Sequence, residues 1–115
     1  SHTMQHWHVY RKWNTRLFQE MTLAFRNGRS SFDPSSNWYQ GEIGFFDHYV
    51  IPLAKKMKEA GVFGSAGAPY LAFATSNKEM WEASGPQAVE VLIEETKAMF
   101  DDDDDDSSLG SSSNR

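Results

Sequence analysis

Glu42 and Phe45 lie three residues apart in a segment with helical patterning, so the carboxylate and the ring share one face of that helix. A polar group beside an aromatic ring can bind a flat heterocyclic base, because the ring stacks on the base and the polar group forms a hydrogen bond with its edge. Gln40 precedes Glu42 by two residues and points nearly opposite. The alternative interpretation is that Phe45 is plain core and Glu42 an ordinary surface acid.

The histidines offer a second, weaker arrangement. His2 and His6 are four residues apart, so a helix would point both at one spot, but a closed metal site needs about four ligands and no acidic partner follows at helical spacing. The alternative is that they are surface or interface histidines. No Ser-His-Asp arrangement, glycine-rich phosphate loop or cysteine is present. The sequence therefore predicts no catalytic residue and no metal site within this chain.

The elements that must position these residues are helices. Apolar residues recur at steps of three and four, and no alternating strand pattern occurs, so an all-α fold of about four helices is predicted. Gly28 and Gly61 are suited to end helices, Gly85 with Pro86 should separate two of them, and Pro52 should bend another. The predicted helices cover residues 5–27, 38–60, 69–83 and 86–100.

The apolar faces predict which side chains turn inward. In the first helix the predicted inward stripe consists of Trp7, Tyr10, Leu17 and Met21. The second helix is apolar on nearly all sides, which predicts burial on nearly all sides. If neighbouring parts of a larger domain are missing, we expect Phe45, Phe46 and Tyr49 to be exposed and the chain to be poorly stable alone.

Charge divides the chain into a body, residues 1–100, and an acidic, serine-rich tail, residues 101–115, which is predicted to be disordered. The body holds ten basic and ten acidic residues, so the net charge of −5 belongs to the tail. A neutral body argues against non-specific nucleic-acid binding. The run from Asp101 to Asp106 could instead attract cations or a basic partner.

No stretch approaches the roughly 20 apolar residues of a membrane span, so we expect a cytoplasmic chain without direct membrane contact.

Three blocks of the sequence resemble the catalytic domain of the class I 3′,5′-cyclic nucleotide phosphodiesterases, especially protist versions. Residues 8–13, His-Val-Tyr-Arg-Lys-Trp, resemble the "LYRQW" helix of that family. Residues 42–53, which begin Glu-Ile-Gly-Phe-Phe-Asp and end Val-Ile-Pro-Leu, are similar to the "QVGFID…VHPL" helix and form the most specific block. Asn77-Lys78 followed by Trp81 resembles the "NR…W" element. The resemblance covers roughly residues 1–95, with a shorter loop at 28–37.

The resemblance implies that residues 1–100 are the C-terminal third of a larger all-helical domain that hydrolyses cGMP, cAMP or both to the 5′-monophosphate in signal transduction. In that family two divalent metals, typically zinc and magnesium, are held by upstream "HNxxH" and "HD" elements, and none of these elements is present here. The chain would then bind no metal and be inactive alone. Its partners would be the cyclic nucleotide and the remainder of the catalytic domain, within a cytoplasmic or membrane-tethered parent protein.

The resemblance also assigns a base-binding role to individual residues. Phe45 would be the stacking residue of the base clamp. Glu42 falls on the glutamine that reads the base edge, and His2 falls where many members have an asparagine, so both depart from the family pattern and leave base selectivity open. An ionised Glu42 should favour guanine. The residues that would line the pocket from the first helix are Tyr10, Trp13, Asn14, Leu17 and Met21.

Two other interpretations remain beside the enzyme. The chain could be a non-catalytic helical interaction module that has kept the fold without the metal site. It could also be an unrelated helical bundle whose aromatic stripes are only core.

Overall fold

The computed structural model describes the backbone of residues 2–61 and 67–113 and the side chains of residues 5–61 and 69–101. The described residues form helices and contain no strand, which confirms the predicted all-α fold. The elements in chain order are α1 (His2–Arg26), a 3-10 turn (Pro34–Ser36), α2 (Trp38–Phe45), a π-helical turn (Phe46–Val50), α3 (Ile51–Ala60) and α4 (Gly67–Ser113).

Helices α1 and α4 lie side by side and run in the same direction. Near the start of both, the rings of His6 and Phe73 stack with centroids 3.7 Å apart. At the far end of α1, Arg26 Nη2 donates to Asp101 Oδ1 at 3.0 Å and its guanidinium lies 5.4 Å from the ring centroid of Phe100. The segment from α2 to α3 packs against this pair.

The core forms where α1, α2 and α4 meet. Phe18 is 1% exposed and takes the central position on α1, whereas Leu17, which the apolar pattern placed inward, is 51% exposed. The predicted stripe of α1 is therefore displaced by one residue at its centre, although Tyr10 and Met21 do pack against the core. The buried residues of the core are Phe18, Trp38, Phe46, Trp81 and Leu92.

The predicted second helix is divided into α2, the π-helical turn and α3. Pro52 lies in the first turn of α3, and because Val50 before it is also helical, its missing N–H removes one bond to the preceding turn. The widened turn before it carries the backbone into α3, with the Ile51 N–H bonded to the Phe46 carbonyl. Gly61 ends α3 in the left-handed conformation at φ 64°, as predicted. Phe46 is 2% exposed, so the expectation that it would be exposed was wrong.

Helix α4 continues through Gly85 and Pro86, where the sequence predicted a break between two helices. Pro86 has no N–H to offer the carbonyl of Glu82, four residues earlier. The Tyr39 hydroxyl donates to that carbonyl at 3.2 Å and so replaces the missing bond. The Tyr39 ring packs so closely over Gly85 that a β-carbon there would lie 2.7 Å from it. A contact from α2 therefore holds α4 together at the proline.

The helical backbone of α4 extends to Ser113, beyond the predicted end near Phe100. The side chains after Asp101 lie outside the described residues, so the division into a body of residues 1–100 and a tail of residues 101–115 stays a prediction. None of the described helices is both long enough and apolar enough to cross a membrane.

Candidate functional site

A cavity of about 420 Å³ lies between α1, the loop after it and α2. Helix α1 supplies one wall, α2 supplies the opposite wall, and the loop contributes one aromatic ring. The residues that line the cavity are Tyr10, Trp13, Asn14, Leu17, Met21, Phe32, Asn37, Trp38, Gly41, Glu42 and Phe45.

The cavity brings together residues that the sequence analysis assigned to one pocket from two distant segments. Glu42 and Phe45 reach it from α2, and the five candidates from α1 reach it from the other side. Gln40, which points nearly opposite to Glu42 on α2, is exposed and does not line the cavity. The remaining candidate, His2, has a side chain outside the described residues.

The alternative interpretation, in which Phe45 is plain core and Glu42 a surface acid, is wrong for both residues. Phe45 is 50% exposed and Glu42 is 8% exposed. The carboxyl group thus lies at the depth of the cavity and the ring lies at its mouth. An accessible ring can stack on a flat ligand, and a recessed carboxyl beside it can bond to the edge of that ligand.

Exposed apolar side chains surround the mouth. Trp13 is 67% exposed, and Phe32 in the loop is 44% exposed. Tyr49, 68% exposed, lies beside Phe45 with ring centroids 5.9 Å apart, but it does not line the cavity. The mouth therefore presents several flat apolar surfaces and few charges.

A directional chain of hydrogen bonds leads to Glu42. Arg11 Nη1 donates to Asn14 Oδ1 at 2.7 Å, and because a guanidinium can only donate, the Asn14 amide nitrogen faces the other way. That nitrogen lies 3.5 Å from the Tyr10 hydroxyl, which donates to Glu42 Oε2 at 2.5 Å. Every donor points toward the carboxyl, so Oε2 is fixed as an acceptor.

Arg11 is the first donor in this series of hydrogen bonds and lies outside the cavity. Its guanidinium carbon lies 6.0 Å from the Trp7 ring and 5.7 Å from the Trp81 ring. Burial lowers the pKa of Arg11, while nearby acidic groups act in the opposite direction. Since an arginine stays protonated in proteins, this donor keeps its charge.

Burial raises the pKa of the Glu42 carboxyl above its ordinary value, although the hydrogen bonds from Tyr10 and Asn14 and the charge of Arg11 all act to lower it. Burial and the neighbouring carboxylate together raise the pKa of the Tyr10 phenol, so the phenol stays protonated and keeps donating. Glu42 is therefore an acid that retains its proton to a higher pH than an exposed glutamate does.

The sequence analysis missed part of the cavity wall. Phe32 comes from a loop without helical periodicity, so no pattern could aim its ring at the cavity. Trp38, 6% exposed, is the first residue of α2, and Asn37 precedes it. Gly41 lies one residue before Glu42 and lacks the side chain that would fill the space, which is a signal the sequence did offer.

The described side chains include no group of three or more His, Asp or Glu residues that could hold a metal ion. His6 is stacked on Phe73, and its proposed partner His2 lies outside the described side chains. The two metals implied by the resemblance therefore have no ligand set among the described residues.

No known protein family, curated protein or solved structure matches this chain.

Proposed function

We propose that this chain is the base-binding part of a 3′,5′-cyclic nucleotide phosphodiesterase domain, in which it holds the purine of cGMP or cAMP. The observation that carries the proposal is the shared cavity. Residues that the sequence resemblance assigned to base binding come from two segments about thirty residues apart and line one space of about 420 Å³. A volume of this size is within the range of small-molecule sites.

The chemistry of the cavity fits a purine. The exposed face of Phe45 offers a stacking surface, and the Trp13 ring at the mouth offers a second. The Glu42 carboxyl can bond to the edge of the stacked base, with Oε2 held by Tyr10 and Oε1 remaining for the ligand.

The protonation state of Glu42 sets which purine edge it suits. An ionised carboxylate only accepts hydrogen bonds, so it matches the N1 and N2 donors of guanine and opposes the N1 acceptor of adenine. A protonated carboxyl, with its proton on Oε1, can donate to adenine N1. We therefore expect cGMP preference with ionised Glu42 and a smaller or reversed preference with protonated Glu42.

The role proposed for this chain is limited to binding and orienting the nucleoside. The metals implied by the resemblance would activate the attacking hydroxide and stabilise the phosphate charge. Their ligands would lie in other parts of the parent domain. The described residues of this chain would hold the base, shield one of its faces from water and bond to its edge.

The proposal is tested by measuring binding of GMP and AMP to the purified full chain, by NMR shifts and tryptophan fluorescence. We expect GMP to bind more tightly at pH 8 and Phe45→Ala to weaken binding about tenfold or more, because stacking on an aromatic ring is worth about 1–3 kcal/mol per base. Tyr49→Ala is the matched control, since this neighbouring ring lies outside the cavity. Absence of binding, or equal loss in both variants, would remove the base-binding role.

The exposed apolar mouth also favours the second candidate, a non-catalytic helical interaction module. The two differ in what precedes Ser1 in the gene. "HNxxH" and "HD" elements there would support the phosphodiesterase, and their absence together with no nucleotide binding would support the module.

A further inference from the structure

Helix α1 carries a row of basic side chains on its outer surface. His8, Lys12 and Arg16 are spaced at four-residue steps, all three are exposed, and with Arg11 and Thr15 they line one shallow depression. We name His8, Lys12 and Arg16 the basic stripe. None of the three lines the base-binding cavity, and Arg16 reaches it only through the Trp13 ring at its mouth.

The basic stripe lacks an anionic partner within the described part of the chain. Lys12 makes no ion pair there, and Arg16 has only the Trp13 ring, 6.0 Å from its guanidinium carbon. Like charges at four-residue steps repel each other and destabilise a helix. The stripe therefore gives up some helix stability and gains no compensating contact with an acidic group within the described chain.

The same chain contains a charge of the opposite sign that the proposed function leaves unused. Asp101 to Asp106 form a run of six acids, of which Asp101 pairs with Arg26 at the end of α1. Because α1 and α4 are parallel and α4 continues as a helix, the later aspartates follow beyond the carboxyl end of α1. Arg16 lies ten residues before Arg26, about 15 Å back along α1. The backbone of α4 thus carries the run away from the stripe of its own chain.

We propose that the basic stripe of one copy binds the aspartate run of a second copy. The contact is head to tail: each chain offers one stripe, along the first part and middle of α1, and one run, beyond the carboxyl end of α1. Such a contact leaves a free stripe at one end of a dimer and a free run at the other, so it allows growth beyond dimers. It is independent of the base-binding proposal.

Sedimentation of the full chain tests this contact through its dependence on salt. We expect association that grows with protein concentration at about 20 mM salt and weakens about tenfold or more at about 0.5 M, because exposed charges are screened. Association that persists at high salt would instead point to the apolar mouth and would overturn the proposal. So would a chain that stays monomeric at low salt and high concentration.

Two complementary variants identify the surfaces. Lys12→Glu with Arg16→Glu removes the stripe and keeps the run, and Asp102 to Asp106 changed to Asn removes most of the run and keeps the stripe. Each variant alone should be monomeric, and their mixture should form one-to-one dimers. Lys55→Glu with Lys56→Glu on α3 is the control and should associate like the original chain. A mixture that stays monomeric, or single variants that still associate, would overturn the proposal.

Discussion

Burial and hydrogen bonding change the pKa of the Glu42 carboxyl in opposite directions. Burial disfavours the ionised form, and the donors from Tyr10 and Asn14 favour it. The net effect raises the pKa, which links the proton to folding stability. At a pH below the ordinary glutamate value of 4.5, the group is protonated in both the folded and the unfolded chain.

This linkage predicts a pH-dependent effect of Glu42→Gln. As the pH rises above 4.5, the unfolded chain ionises first, so the free energy of unfolding of the original chain falls until the pH passes the folded-state pKa. The amide has no such proton. The difference in melting temperature, variant minus original, should therefore increase between about pH 4 and pH 8. Circular dichroism melts at several pH values measure it.

Glu59→Gln, at an exposed position on α3, is the control and should show a much flatter difference. A Glu42→Gln effect that is the same at every pH would mean that the carboxyl titrates alike in both states. It would also remove protonation of Glu42 from the account of purine preference.

At this scale the sequence predicted which residues meet but not how deeply each is buried. The three-residue spacing of Glu42 and Phe45 placed both on one face, and both line the cavity. Hydrophobicity alone would bury the ring and expose the acid, and the structure has the opposite. The acid can be buried because Tyr10 comes from another helix to donate to it. The resemblance placed both residues at one pocket, but nothing in the sequence showed this hydrogen bond.

Among the elements, α4 depends on a close approach by α2 at Gly85. A β-carbon at this position would lie 2.7 Å from the Tyr39 ring and 3.1 Å from the Trp81 ring. Gly85→Ala should therefore displace Tyr39 and lower the free energy of unfolding by about 1–3 kcal/mol, the usual range for overpacking. Chemical denaturation of the purified chain measures the change.

Gly44→Ala is the matched control because it makes the same substitution inside α2. The nearest side-chain atom to a β-carbon there is His48 Cδ2 at 3.9 Å, an ordinary contact. This variant should be stabilised by up to about 1 kcal/mol, since alanine has the higher helix propensity. Equal stabilisation of both variants would contradict the close approach at Gly85.

The elements were predictable where local rules act alone. Gly61 ends α3 through a left-handed conformation that the chain itself dictates. The break predicted at Gly85 and Pro86 was wrong because Tyr39 bonds to the carbonyl that the proline leaves without a donor. Local rules describe what a proline removes, and they cannot describe what a neighbouring helix supplies in return.

The whole molecule leaves large apolar side chains uncovered around the cavity mouth. Trp13, Phe45 and Tyr49 are each at least half exposed. We expect the isolated chain to bind a dye such as ANS and to melt over a broad temperature range, since uncovered apolar patches of this kind mark surfaces meant for a partner. Tyr49→Ser should lower dye fluorescence with little change in melting temperature.

The control is a substitution at the same position that differs in polarity. Tyr49→Leu, which keeps an apolar side chain at the same position, should retain more of the dye signal than Tyr49→Ser. A sharp cooperative transition of a monomeric sample without dye binding would show that the uncovered surface needs no partner.

The π-helical turn at Phe46–Val50 keeps a single row of side chains directed at the core over about four turns. Residues 38, 42, 46, 50 and 54 are buried or half-buried, each four positions after the last. On a straight α-helix this spacing drifts by about 40° per step and about 160° in all, which would turn the last residue to the opposite side. The wider turn takes up one extra residue and removes part of that drift. Deleting one residue from it would rotate α3 against α2 by about 100°. The turn therefore sets how far α3 is rotated about its axis relative to α2, which forms one wall of the cavity.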